Sequence, residues 1–194
     1  MKSDETIIEE YRDGDPEAFT ELVRRYLSPM YRFARRSLPS DDEAEDVVQE
    51  IFLKAWKNLP QFKIEKKFRF WIYAIAKNAL IDHLRKKKDV PFSQMETGRE
   101  DLFSENLPGE EPLPDELFEK AELGALLSEA LSKLPENYRT TLTLHYSEGL
   151  TFEEIAEIFD RPMNTVKSWH RRGTHSLRRF LSGPAPKTGP KTYS

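Results

Sequence analysis

The sequence of 194 residues contains no cysteine, which excludes several kinds of chemistry at once. Disulfide bonds, thiolate nucleophiles and cysteine-ligated zinc sites all require thiols. Their absence is compatible with a reducing compartment, and we expect a cytoplasmic protein. The chain also lacks any run of about 18 apolar residues, so no membrane insertion is predicted. Its acidic N-terminal segment has no apolar stretch of the kind that a secretory signal carries.

Motifs for catalysis are also missing. The four histidines are scattered, and His170 and His175 lie five positions apart, so one helix face does not present both. No glycine-rich phosphate loop or nucleophile elbow occurs. We therefore predict no enzymatic activity, no catalytic residues, no metal and no cofactor.

Charged residues are abundant and unevenly distributed. The 30 Lys and Arg residues and 34 Asp and Glu residues give a net charge of −4, which as a sum argues against nucleic-acid binding. However, residues 63–88 contain nine basic and two acidic residues, and residues 163–179 contain five basic residues and no acidic one. Residues 89–119 contain ten acidic residues and one basic residue. Because phosphate binding responds to local positive charge, two separate nucleic-acid-binding surfaces are indicated.

Apolar residues recur at helical spacing in two blocks, which predicts an all-α protein of two small helical domains. The first domain covers residues 1–88, with helix caps expected at Asp15 and Ser40. Residues 89–116 lose the periodicity and are rich in proline, glycine and acidic residues, which is typical of a flexible linker. The second domain covers residues 117–182. Residues 183–194 are predicted to form a disordered tail.

The end of the second domain has the pattern of a helix-turn-helix. Thr151 and Glu154 predict a capping box for a short helix, a turn follows at 160–162, and a second helix begins near residue 163. The small side chain of Ala156 permits a close helix crossing. The face of the second helix opposite its apolar residues can reach base edges and phosphates in a major groove. It carries Thr165, Lys167, Ser168, Arg171 and Arg172.

Five segments resemble known sequences. Residues 45–56 (EDVVQEIFLKAW) and 68–85 (FRFWIYAIAKNALIDHLR) resemble region 2 of sigma-70 family factors. Three further segments resemble region 4 of the same factors: residues 134–139 (LPENYR), 151–156 (TFEEIA) and 164–168 (NTVKS). With nothing predicted to fold between the two regions, the chain resembles the extracytoplasmic-function (ECF) group, and the likeness spans residues 7–182.

The resemblance implies a promoter-specificity subunit of bacterial RNA polymerase. Such a factor binds core polymerase, recognises the −35 element as duplex, and captures the melted non-template strand at the −10 element. The positions that match the polymerase-binding part are Asp46, Gln49, Glu50, Phe52 and Lys54. Those that match the −10-binding part are Phe62, Lys63, Lys66, Lys67, Lys77, Asn78, Asp82 and Arg85. The −35-binding part corresponds to Asn164, Thr165, Lys167, Ser168, Arg171 and Arg172. The resemblance also implies an anti-sigma factor as a partner.

The recognition helix departs from the family pattern at three positions. Asn164 replaces a glycine, Trp169 an arginine and His170 an aliphatic residue. The spacing from Val166 allows Trp169 to pack inward or, alternatively, to meet a thymine methyl group or a sugar, and it predicts a partly buried His170. The −35 preference of relatives therefore does not transfer to this chain.

The −10 and −35 elements lie about 25 base pairs apart, or about 85 Å, which two small domains on a stretched linker can span and one compact domain cannot. An alternative function is an autonomous helix-turn-helix transcription regulator with residues 1–88 as a sensor. That function requires a dimer seam and a ligand pocket, and the first domain offers no obvious candidate for either.

Overall fold

A computed structural model describes residues 2–88 and 121–181, and all regular structure in these two ranges is helical. The first half contains α1 (Asp4–Arg12), α2 (Pro16–Arg35), α3 (Asp41–Asn58), a short 3-10 helix (Leu59–Gln61) and α4 (Phe68–Lys88). The second half contains α5 (Ala121–Ser132), α6 (Glu136–Leu142), a π-helical turn (Thr143–Ser147), α7 (Phe152–Phe159) and α8 (Met163–Leu181). The predicted all-α class with two helical regions is confirmed. The predicted linker at 89–116 and tail at 183–194 lie outside the described residues.

The predicted helix caps are present. The Asp15 carboxylate accepts a hydrogen bond from the amide of Glu17 at 2.9 Å, and the Ser40 hydroxyl accepts one from the amide of Glu43 at 3.2 Å. At α7 both halves of the capping box form: Thr151 accepts from the Glu154 amide, and the Glu154 carboxylate accepts from the Thr151 amide. Because these bonds satisfy amides that a helix start leaves unpaired, they fix where each helix begins.

Helix α1 was not among the predicted elements. The Ser3 hydroxyl caps it by accepting from the amide of Thr6, and Ile7 and Ile8 are buried. The carboxylate of Asp4 accepts from the Tyr26 hydroxyl and pairs with Arg25, both on α2. One turn of apolar residues and a two-residue ion pair therefore attach this short helix to the bundle.

Aromatic rings fill the centre of the first half, where α2, α3 and α4 pack together. Phe68, at the start of α4, is 1% exposed, and its ring lies 5.3–5.7 Å from the rings of Tyr26, Phe62 and Trp71. Such tilted and edge-to-face pairs add to the free energy gained by burial. This cluster fixes the start of α4 against α2 and holds the preceding loop.

In the second half, α8 crosses both α6 and α7. The crossing with α6 is close because residue 173 is glycine: a Cβ atom there would lie 3.1 Å from both Cβ of Tyr138 and Cδ1 of Leu142. Val166 and Leu177, the predicted inward residues of α8, are buried. The helix-turn-helix is thereby confirmed as a packed unit of α7, the turn and α8. None of the described helices combines the length and apolarity needed to cross a bilayer.

Candidate nucleic-acid and polymerase interfaces

One face of α3 is open to solvent and carries two large apolar side chains. Asp46 and Gln49 are exposed on it. Leu53 and Trp56 follow at helical spacing, and they are 55% and 50% exposed. We call these four residues the α3 face. Large apolar side chains clustered at the surface are typical of a protein-binding site. Leu53 and Trp56 were missed as candidates, although their spacing from Asp46 and Gln49 (46, 49, 53, 56) already predicts a common face.

The other predicted polymerase-binding residues occupy different environments. Phe52 is partly buried and packs against the core. Lys54 bridges two carboxylates, with its Nζ 2.8 Å from Oε1 of Glu50 and 3.4 Å from Oδ2 of Asp82 on α4. Hydrogen bonding to Glu50 raises the pKa of Lys54. Arg85 extends the row, 3.4 Å from Asp82. This ion-pair network joins the edge of the α3 face to the helix predicted to bind the −10 element.

The loop before α4 presents its basic residues and hides its aromatic residue. Lys63, Lys66 and Lys67 are exposed, and Nζ of Lys67 lies 5.1 Å from the centre of the Phe70 ring. In contrast, Phe62 is 4% exposed and packs 5.0 Å from Trp71. The prediction that Phe62 contacts DNA does not fit this placement, because a ring enclosed by other aromatic residues has no free face for a base. Its position makes it a support for the basic loop.

On α4, some of the predicted −10 residues face solvent, and one contacts the second half of the chain. Asn78 is exposed, and Asp82 and Arg85 are partly exposed. Lys77 is half-buried: its Nζ lies 3.4 Å from the backbone oxygen of Ile158 and 5.0 Å from the centre of the Phe159 ring, both on α7. This burial lowers the pKa of Lys77. Of the two neighbouring residues, Asn78 alone is open to a ligand in this conformation.

The predicted −35 residues line one side of α8. Asn164, Lys167 and Arg171 are exposed, at the spacing that puts them on one face. Thr165, Ser168 and Arg172 flank them and are partly exposed. The turn that precedes α8 includes Asp160 in the left-handed conformation with φ 52°, which redirects the chain between the two helices. A polar, basic face at the start of the second helix is therefore presented to solvent.

Two of the three residues that depart from the family pattern, Trp169 and His170, point away from this face. Trp169 is 7% exposed and its ring packs 5.1 Å from Phe159 of α7, so the inward alternative is the observed one. His170 is partly buried, as predicted, among the rings of His145, Tyr146 and Phe152. Burial, followed by the neighbouring His145, lowers the pKa of His170 to about 4, so the imidazole is neutral near pH 7. Both departures thus change the interior of the helix-turn-helix.

The two halves of the chain contact one another, which the sequence did not predict. Arg139 of α6 is 4% exposed and its Nη1 donates to the backbone oxygen of Ser37 at 3.0 Å. Arg69 donates to the backbone oxygen of Glu148 at 2.5 Å, and the Tyr73 hydroxyl donates to the Glu148 carboxylate. Burial, with this hydrogen bond, raises the pKa of Tyr73 far above its usual value. We call these contacts, with those of Lys77 to α7, the inter-region contact.

Comparison with known proteins identifies the family. A family model described as Sigma-70 region 2 matches residues 22–90, and one described as Sigma-70, region 4 matches residues 125–174. The chain is 36% identical over 176 residues to the ECF RNA polymerase sigma factor SigW of Bacillus subtilis (strain 168), which covers 90% of this chain and 94% of that protein. The chain belongs to the extracytoplasmic-function group of the sigma-70 family.

Other relatives agree with this assignment. The sigma factor is 34% identical over 168 residues to the ECF RNA polymerase sigma-E factor of Escherichia coli (strain K12), covering 86% of this chain and 87% of that protein. The structure of CnrH in complex with the cytosolic domain of CnrY matches with a TM-score of 0.66 at 23% identity, covering 93% and 98% of the two chains. This last likeness is one of fold. Since the matches include both halves, the protein functions as a sigma factor in transcription initiation. An autonomous helix-turn-helix regulator does not explain why the first half matches Sigma-70 region 2.

Proposed function

We propose that the sigma factor divides its task between its two regions. Residues 1–88 dock on core polymerase through the α3 face and bind the −10 element with the basic loop and α4. Residues 117–182 read the −35 element as duplex with α8. The observation that best supports this division is the polar, basic face of α8, which is exposed while Val166, Trp169 and Leu177 on its other side are buried. A recognition helix needs this arrangement to enter a major groove.

The −10 site is proposed to capture unpaired bases. The three exposed lysines of the loop can bind the strand backbone, and Asn78 can form hydrogen bonds with the edge of an extruded base. Phe62 is left out of the contacting set because its ring is buried. Asp82 and Arg85 remain in the proposal as the polar rim beside Asn78.

Substitution of Asn78 by alanine tests this site. We expect Asn78→Ala to reduce the rate of promoter opening about tenfold or more, because a bidentate base contact is worth about 1–3 kcal/mol. Opening is measured by the fluorescence of 2-aminopurine placed in the −10 element, with holoenzyme assembled at saturating sigma factor. Glu9→Ala, an exposed polar substitution on α1, serves as the control. Unchanged opening with Asn78→Ala would remove this residue from the proposed site.

Two substitutions on α8 test the −35 site. Arg171→Ala and Lys167→Ala are each expected to weaken binding to a −35 duplex by about 1–3 kcal/mol if the side chain reads a base. Binding is compared between the natural duplex and duplexes altered at single positions, at several salt concentrations. A phosphate contact would instead weaken binding equally on all sequences. It would also reduce the slope of log affinity against log salt concentration by about one.

We propose that the sigma factor catalyses no reaction itself and works in the cytoplasm, where polymerase and promoter DNA are found. We also propose an anti-sigma factor as a partner. This is supported by one neighbour of similar fold, the sigma factor RpoE from Bartonella quintana, solved in complex with the anti-sigma factor NepR. Gel filtration of this protein with a candidate partner tests the pairing, since a stable pair elutes earlier than either protein.

A further inference from the structure

The loop that precedes α4 is held by helix α1, far away along the chain. Nη2 of Arg12, in the last turn of α1, donates a hydrogen bond to the backbone oxygen of Phe62, 50 residues later. That oxygen belongs to the peptide group that joins Phe62 to Lys63, the first lysine of the basic loop (residues 62–67). Because a peptide group is planar, this bond fixes the direction in which the chain enters the loop.

Other contacts fix the basic loop from within and from α4. The Phe62 ring is buried against two aromatic rings of α4. The amide of Lys66 donates to the backbone oxygen of Lys63 at 3.0 Å, which closes a turn inside the loop. At the far end, the backbone oxygen of Lys67 accepts from the amide of Trp71 at 3.3 Å. The end of the loop is thus fixed by α4, whereas its first peptide group is fixed by α1.

Helix α1 is itself anchored, which allows it to act as a support. Two isoleucines on its inner face are fully buried, and the Asp4 carboxylate accepts hydrogen bonds from Arg25 and Tyr26 of α2. Arg12, in contrast, is exposed, and its guanidinium contacts the loop rather than the core. Replacing Arg12 is therefore expected to release the loop and to leave the helical bundle folded.

We propose that α1 is a brace for the basic loop and that Arg12 is a positioning residue for strand capture at the −10 element. Arg12 acts through the loop, by holding Lys63 and Lys66 where their ammonium groups contact the backbone of the unpaired strand. This role rests on the proposed −10 site. A loop that is ordered before binding loses less conformational entropy when the strand arrives, which favours capture. No contact between Arg12 and DNA is required.

Hydrogen exchange in the free full-length protein, followed by NMR, tests the brace without DNA or polymerase. The amide of Lys66 reports on the turn that its bond to Lys63 closes. Arg12→Ala is expected to raise the exchange rate of this amide about fivefold, as the loss of one hydrogen bond implies, while amides within α3 and α4 keep their rates. Arg24→Ala removes the same kind of side chain from an exposed position on α2 and is expected to change none of these rates.

Strand binding tests the function of the brace. Holoenzyme assembled at saturating sigma factor is titrated with a non-template oligonucleotide that carries the −10 element. We expect Arg12→Ala to weaken this binding about fivefold, with unchanged affinity for core polymerase and for a −35 duplex, and Arg24→Ala to leave all three unchanged. The slope of log affinity against log salt concentration should stay the same. A decrease of about 0.7 in that slope would identify Arg12 as a direct phosphate contact and overturn the positioning role.

A second background decides whether Arg12 acts through the loop. In a protein that already carries Lys63→Ala and Lys66→Ala, adding Arg12→Ala is expected to weaken strand binding less than about twofold, because the ammonium groups that Arg12 positions are gone. If Arg12→Ala caused the same loss in this background as in the unchanged protein, Arg12 would act elsewhere, and the inference would be wrong.

The outcomes separate the brace from the proposed −10 site. Unchanged exchange of the Lys66 amide in Arg12→Ala overturns the brace even when strand binding and transcription are normal. Strand binding that is unaffected by Lys63→Ala with Lys66→Ala refutes the basic loop as the −10 site, and the role of Arg12 falls with it. Faster exchange in Arg12→Ala, together with a loss of strand binding that depends on the two lysines, supports both.

Discussion

Replacing Phe68 by alanine is expected to lower the free energy of unfolding by about 3–5 kcal/mol. The side chain is 1% exposed and contacts three aromatic rings at the junction of α2, α4 and the basic loop. Removing it leaves a cavity that these rings cannot fill without moving the start of α4. Since small domains are stable by only about 5–15 kcal/mol, this is a large part of the total.

Denaturant unfolding followed by circular dichroism measures this change. Phe180→Ala is the matched control, because Phe180 is 36% exposed at the end of α8, and a change of about 1 kcal/mol or less is expected for it. Similar losses for the two variants would mean that the ring cluster around Phe68 does not form the centre of the first half. The position of the basic loop would then need another explanation.

Replacing both Leu53 and Trp56 by alanine is expected to weaken the affinity for core polymerase at least about 30-fold, which corresponds to about 2 kcal/mol of binding free energy. Their exposed side chains contribute little to folding, while large apolar and aromatic anchors carry much of the energy of a protein interface. The flanking Asp46 and Gln49 supply the polar rim that such an interface needs. The affinity of Leu53→Ala with Trp56→Ala is measured by competition with an unmodified, fluorescently labelled sigma factor.

The control for this pair is Leu27→Ala on α2, which removes a leucine that is 49% exposed and lies outside the α3 face. It is expected to leave polymerase affinity unchanged. If Leu53→Ala with Trp56→Ala binds core polymerase as tightly as the Leu27→Ala control does, the α3 face is not the polymerase-binding surface. Unchanged circular dichroism of all variants establishes that any loss of affinity is not a loss of folding.

Local signals were sufficient for most of the helical framework. Capping residues at Asp15, Ser40 and Thr151 gave the starts of three helices, because a cap acts within a few residues of its own position. Helix α1 was missed because it is short, and its stability comes from the contacts of Asp4 with Arg25 and Tyr26. Contacts of this kind, formed across about twenty residues of chain, leave no periodic pattern.

The environment of individual site residues was harder to infer from sequence. A basic loop with an aromatic residue suggests strand binding, but the ring of Phe62 packs against Phe68 and Trp71 of α4 and is buried there. The spacing of Trp169 from Val166 leaves both directions of its side chain open, and the structure selects the inward alternative. The contact between Arg139 and Ser37 joins residues 102 positions apart and depends on how the two regions dock. Helical periodicity within one region carries no information on that docking.

The promoter-specificity role is tested most directly by sequencing the transcripts that bacterial core polymerase makes on genomic DNA when this sigma factor is added. We expect discrete start sites that core polymerase alone does not use, preceded by two shared sequence elements about 25 base pairs apart. The variant lacking Leu53 and Trp56 should lose these starts at limiting concentrations of sigma factor. Transcripts that begin at the same scattered positions with and without the protein would contradict its assignment as a promoter-specificity subunit.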